Sequence, residues 1–256
     1  MGLKKHVPNF ITLLNLLCGC IAILFAVYDK LEIAALLVML GIFFDFFDGL
    51  AARVLKVQSD LGLQLDSLAD MVTSGVVPGI VMFQLLTRVF GKPFYESSDT
   101  RNSGELVTTL DISYVSLLGF CVTLASAYRL AKFNIDTRQT TSFIGLPTPA
   151  NTILILSLPL ILMYQNEVWV SAIILSPYFL IGLTLLSCYL LNAEIPLFAL
   201  KFKTWGFKEN KVRYIFLILV LLLIVVLKFM AVPVIILTYI LLSVFTNQKS
   251  LKTEMN

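Results

Sequence analysis

This chain has little charge, almost no histidine and no cysteine pattern. Charged residues fill only 14% of its 256 positions, against about a quarter in ordinary soluble domains. His6 is the only histidine, which argues against His-ligated zinc and a Ser-His-Asp triad. Cys18, Cys20, Cys121 and Cys188 all sit in apolar stretches, at no metal-ligand or disulfide-framework spacing. A formal net charge of +3 is too small to point to nucleic acid. Internal repeats, low-complexity tracts and linkers are also missing, so residues 1–256 read as a single domain. Ten-residue alternating segments are absent too, which excludes a β-barrel.

Apolar side chains are what the chain has in excess, at 58% with a mean hydropathy of +0.90. A bilayer core of about 30 Å takes about 20 apolar residues per helix. Eight apolar runs therefore predict an all-α integral membrane protein of about eight transmembrane helices. They lie near Phe10–Tyr28, Leu31–Leu55, Leu65–Phe90, Tyr114–Phe133, Thr148–Tyr164, Val168–Leu191, Tyr214–Phe229 and Ala231–Phe245. The last two, within 212–247, are separated only by Lys228 and Pro233. With the N-terminus inside, only Lys30, Arg88, Lys92, Arg101 and Lys228 fall outside, and the other fourteen of the nineteen Lys and Arg residues fall inside. The positive-inside rule then predicts a multi-pass cell-membrane protein with both termini in the cytoplasm. The largest outside connection, near Gly91 to Ser113, carries Glu96, Asp99, Glu105 and Asp111 and reads as a solvated loop.

Four acids sit where acids are costly. Asp45 and Asp48 interrupt the aromatic run 42–48, and Asp66 and Asp70 lie at or near the start of the third run. The spacings i, i+3 and i, i+4 put each pair on one helix face. Insertion costs about 2.5–3.5 kcal/mol for one such residue at mid-membrane, so four facing lipid would cost roughly 10 kcal/mol. They must turn inward to a compensating cation, and Arg53 and Lys56 alone fall short. Carboxylates without nearby Cys or His suit Mg²⁺, Mn²⁺ or Ca²⁺ over zinc or copper. Four negative charges balance two divalent ions, the usual clamp for phosphoryl transfer. Gly49 and Ala52 remove bulk beside them and let a ligand approach the backbone. Counted from Ile33, Asp45 lies past the midplane on the cytoplasmic side, so a polar di-metal cavity is expected there, among the first six helices. A cation-coupled transporter and an intramembrane prenyltransferase also place acids in membranes. The first usually shows repeated halves and broken helices, neither visible here, and the second a different acid spacing.

The run Asp45-x2-Asp48-Gly49-x2-Ala52-Arg53-x8-Gly62-x3-Asp66-x3-Asp70 matches every specified position of the CDP-alcohol phosphotransferase signature, and the chain resembles that family. The resemblance implies an integral membrane enzyme that moves a phosphoalcohol group from a CDP-linked donor to an acceptor hydroxyl, releasing CMP. It implies that Asp45, Asp48, Asp66 and Asp70 surround two metal ions, with Asp70 as general base. It implies contacts from Gly49, Ala52, Arg53 and Gly62 to CDP-diacylglycerol, and from Asn9 and Thr12 in Pro8-Asn9-x2-Thr12 to the nucleotide or its phosphates. A catalytic part near 8–191 and a homodimer are also implied.

Three further stretches resemble the bacterial and archaeal phosphatidylserine synthase branch. They are 66–78, Tyr128-Arg129-Leu130-Ala131-Lys132-Phe133-Asn134, and Phe143-Ile144-Gly145-Leu146-Pro147-Thr148-Pro149-Ala150. This branch implies L-serine as acceptor, with glycerol 3-phosphate or inositol as alternatives. Arg129, Lys132, Asn134 and Gly145 then become candidates for binding serine or phosphate. Lys132 stands where the branch has arginine, which removes the bidentate fork from that position. Pro78, between Gly75 and Gly79, predicts a kink in the third helix.

Overall fold

The computed structural model describes residues 6–91, 113–136, 143–165, 167–197, 206 and 210–254. The expected outside loop, with Glu96, Asp99, Glu105 and Asp111, lies outside the described residues. Each of the eight predicted apolar runs is helical. They form α1 (His6–Val27), α2 (Leu31–Leu55), α3 (Asp60–Asp70), α4 (Val77–Phe90), α5 (Cys121–Ile135), α6 (Thr148–Tyr164), α7 (Val168–Ile174), α8 (Pro177–Asn192), α9 (Lys211–Leu227) and α10 (Ala231–Glu254). A π-helical segment, Met71–Val76, joins α3 to α4, and a 3-10 segment, Tyr114–Phe120, leads into α5.

Three breaks depart from the sequence-based expectation. The third span begins at Asp60, because Ser59 caps it by accepting a hydrogen bond from Gly62 N–H at 3.1 Å. Its irregularity is the π-helical segment ahead of Pro78. Proline has no N–H to offer the carbonyl four residues earlier, which here belongs to Ser74. That carbonyl accepts from the Thr152 hydroxyl at 2.8 Å, and the Gly75 carbonyl accepts from Thr123 at 3.0 Å. The sixth run is broken at Ser176–Pro177, where α7 and α8 meet at a 58° bend.

Among the described residues, five helical stretches are long and apolar enough to cross a bilayer, and the bent α7–α8 pair makes a sixth. The stretch Arg213–Val244, one of the five, is a hairpin. Lys228 takes φ 50°, and the rings of Phe216 and Tyr239 lie 5.7 Å apart. On a straight helix, 23 residues would separate them by about 34 Å. The 17-residue α6 is about 26 Å long, short of a bilayer core of about 30 Å.

Small residues let α1 and α2 pack closely. Ala22 and Ala26 of α1 and Ala34 and Ala35 of α2 are buried, and a Cβ at Gly41 would come within 2.8 Å of Asn15 Oδ1. Two apolar clusters form the core. The larger joins α1, α2, α4 and α6, while the smaller gathers Leu146, Leu154, Leu190, Leu197 and Ile236. A short antiparallel pair, β1 (Phe143–Ile144) with β2 (Pro196–Leu197), adds a ladder where only helix and loop were expected.

Polar contacts sort the connections into two ends. At one, Arg88 pairs with Asp29 at 2.9 Å, and Gln165 bonds to Leu227 O and Met230 N. At the other, Lys132 meets Glu194 at 3.4 Å, and Asn134 bonds to Ser67.

Candidate active site

The turn between α2 and α3 builds the site. Lys56 ends α2 in the left-handed region (φ 53°), while Val57 N–H bonds back to Ala52 O at 3.0 Å. This wrap is a common helix stop. Only three residues then separate Lys56 from the start of α3, so α3 returns beside the acid-bearing end of α2. As a result Asp45, Asp48 and Asp66 each direct one carboxylate oxygen into a group whose members lie within 4.8 Å of one another.

Asp48 is 5% exposed. The Thr12 hydroxyl lies 2.5 Å from Asp48 Oδ2 and 3.1 Å from Pro8 O. A hydroxyl has one proton, and the shorter distance assigns it to the carboxylate. Thr12 therefore orients Asp48 as well as lining the cavity. Asp45 interacts with Asp66 and Asp70. Asp70 lies outside the group of three and takes a long contact, 3.5 Å, from Asn15 Nδ2. Among the described residues, no lysine or arginine lies within ion-pair distance of these four acids. Three converging hard oxygen donors without a basic partner fit divalent cations of the magnesium or manganese type.

Beside the acids opens a cavity of about 460 Å³. Its wall includes Asn9, Thr12, Asp48, Gly49, Ala52, Arg53, Gly62 and Asp66, and also Pro8, Val57, Gln58, Ser59, Asp60 and Leu63. A Cβ at Gly49 would meet only Arg53 Nη2, at 4.0 Å. The space above Gly49 is therefore open. At Gly62 a Cβ would sit 3.3 Å from both Asn9 Oδ1 and Ser59 Oγ, so this glycine lets α3 approach α1. Arg53 donates through Nε to Gly49 O at 2.9 Å, which leaves its terminal nitrogens for the cavity.

The residues expected on the acceptor side lie elsewhere. Arg129 and Lys132 line a second, much smaller cavity of about 10 Å³ with Ile144, Leu191, Asn192 and Ala193. Arg129 is 6% exposed and donates to Ile144 O at 3.3 Å, while its buried Nε has no partner. Lys132 carries an ion pair with Glu194 that the sequence did not announce. Asn134 bonds to Ser67, next to Asp66, and so ties α5 to α3. Gly145 takes φ 74° and donates to Ile195 O at 2.9 Å. Asn15, Ser59 and the Lys56 turn were missed by sequence reasoning. Asn15 offered a signal, being a polar residue mid-span on the same face as Thr12.

Residues 5–185 match the family described as CDP-alcohol phosphatidyltransferase, and that stretch holds the four acids and the whole wall of the larger cavity. The chain belongs to the CDP-alcohol phosphatidyltransferase family. Among curated proteins it is similar to the CDP-diacylglycerol–serine O-phosphatidyltransferase of Bacillus subtilis (strain 168), at 35% identity over 57% of this chain and 70% of that one. Proteins of the same name from Methanocaldococcus jannaschii and Helicobacter pylori (strain J99) are 32% and 31% identical, each over 58% of this chain. The match spans little more than half the length of those two, at 58% and 54%.

Proposed function

We propose that this protein transfers the phosphatidyl group of CDP-diacylglycerol to the hydroxyl of L-serine, yielding phosphatidylserine and CMP. The observation that carries the proposal is the convergence of Asp45, Asp48 and Asp66 beside an open cavity walled by Gly49 and Arg53. The printed names of the relatives supply the acceptor.

Asp45, Asp48 and Asp66, with Asp70 alongside, would hold two Mg²⁺ or Mn²⁺ ions. Bound there, such ions supply charge neutralisation for the donor diphosphate. The open space above Gly49 admits that diphosphate, and Arg53 offers it a fixed positive charge. Thr12 holds Asp48 in place, and Asn9 and Gly62 border the nucleotide side. Asp70 stands outside the group of three and is the general base, taking the proton of the serine hydroxyl. The serine oxygen forms its bond to the phosphorus that bears diacylglycerol, the bond from that phosphorus to the CMP oxygen breaks, and CMP leaves. General-base assistance of this kind contributes about 10²–10⁴-fold.

Arg129 is the candidate partner of the acceptor carboxylate, and its cavity of about 10 Å³ must widen to admit that group. It is a buried guanidinium with an unused donor and, among the described residues, no carboxylate partner, and a buried charge calls for a counter-ion. Lys132, Asn134 and Gly145 frame the same end of the molecule. The acid end of the fold carries Arg53, Lys56, Arg129 and Lys132, and the opposite end Lys30, Arg88 and Lys228. The positive-inside rule supports a cytoplasmic site and cytoplasmic termini.

The test is CMP release by purified protein given CDP-diacylglycerol and Mg²⁺ or Mn²⁺. Release should be fast with L-serine and slow with glycerol 3-phosphate or inositol, and Arg129→Ala should raise KM for serine. A preference for glycerol 3-phosphate or inositol would overturn the serine assignment. No CMP release with any acceptor would overturn the reaction class.

A further inference from the structure

The C-terminal hairpin α9–α10 lies beyond the family-matched stretch 5–185, and nothing in the reaction above uses it. It is nevertheless packed onto a tight loop. Gly145 takes φ 74°, and a Cβ there would come within 2.9 Å of both the Leu191 and Ala193 carbonyls. The loop is held from inside by backbone bonds, Gly145 N–H to Ile195 O at 2.9 Å and Leu146 N–H to Leu190 O at 2.8 Å. Its outer face is covered by α10. Ile236 joins Leu146, Leu190 and Leu197 in one buried cluster, and Val232, Tyr239 and Ile240 pack against it. The residue before Gly145 is Ile144, whose carbonyl accepts the hydrogen bond of Arg129. A continuous line of contacts thus runs from α10, through Leu146 and the loop, to the buried guanidinium.

We infer that the hairpin is a positioning element for the acceptor side: Ile236, in the buried cluster that holds Leu146, fixes the Gly145 loop and thereby the Arg129 guanidinium. The inference rests on the proposed role of Arg129 in binding the acceptor carboxylate. The hairpin is anchored independently at its far end, where Gln165 accepts from Met230 N–H at 2.8 Å and donates to Leu227 O at 3.0 Å. Removing bulk at Ile236 therefore loosens the loop without releasing the hairpin turn.

Two readouts on the full-length protein in detergent test this. The first is hydrogen exchange of the segment 143–147, which needs no activity. Ile236→Ala should speed exchange of the Gly145 and Leu146 amides, and Ile236→Leu should restore most of the protection. The second is steady-state CMP release, where Ile236→Ala should raise KM for serine about fivefold and leave KM for CDP-diacylglycerol within about twofold. Unchanged exchange in 143–147 would show that the hairpin does not hold the loop. Faster exchange with an unchanged serine KM, or with both KM values rising together, would overturn the acceptor-side role. Wild-type protein without CMP release would sink the proposed reaction, and the exchange readout would still decide the contact between hairpin and loop. Should Ile236→Ala fail to fold, Val232→Ala, on the same cluster, carries the same two measurements.

Discussion

Gly49 and Gly119 answer differently to a single added methyl group. A Cβ at Gly49 projects into the cavity and touches only the end of Arg53, whereas one at Gly119 would drive into the backbone of Met82 and Phe83. Gly49→Ala should leave the thermal midpoint nearly unchanged and raise KM for CDP-diacylglycerol. Gly119→Ala should lose about 1–3 kcal/mol of stability to overpacking, visible as a lower midpoint in detergent. Equal stability loss in both would remove the case for open space above Gly49. The acids divide in a similar way. Asp70 stands apart from the group of three, so Asp70→Asn should abolish CMP release yet keep metal-dependent binding of CDP-diacylglycerol, whereas Asp48→Asn should lose both. Near-normal turnover in Asp70→Asn would remove it as the base. Much of this was legible beforehand, because residues three and four apart on a helix share a face whatever the fold. Thr12's bond to Asp48 and Asn15's contact with Asp70 were not, since 36 and 55 residues separate these pairs and no local periodicity links them.

At the scale of elements, apolar run length located the helices, although the third begins at Asp60 instead of Leu65 and the last runs to Glu254 instead of Phe245, and the break at Ser176–Pro177 escaped it. Pro78 was visible and its consequence was not, since the hydroxyl that satisfies Ser74 O belongs to Thr152, 78 residues away. Thr152→Val keeps the side-chain shape and removes that donor. The carbonyl loses a buried hydrogen bond, at a cost of about 0.5–1.5 kcal/mol. A lowered thermal midpoint in Thr152→Val, beside an unchanged one in an exposed control such as Thr238→Val, is the expected outcome. The pairing of Phe143–Ile144 with Pro196–Leu197 depends on a partner strand only two residues long. Two residues carry no strand pattern of their own.

For the whole molecule, the alternation of helices and the contacts at their ends define two faces, with Gln58 on one and Glu167 on the other. Single cysteines at these positions, in a protein whose native four are replaced, should label with an impermeant reagent from opposite sides of the membrane, Gln58 from the cytoplasm. Labelling of both from one side would break the order of crossings between them. The π-helical segment Met71–Val76 makes the third span depend on an exact residue count. One π turn amounts to one inserted residue, worth about 100° of rotation. Asp66 and Asp70 precede this segment, so the offset sets how α3 is rotated relative to α4, which is buried on every side from Val77 to Thr87. Deleting one residue between Met71 and Val76 would let the span run on as ordinary α-helix, and the acids would rotate away from their partners. Chain length in this stretch therefore acts as an angular setting, closed to insertion or deletion.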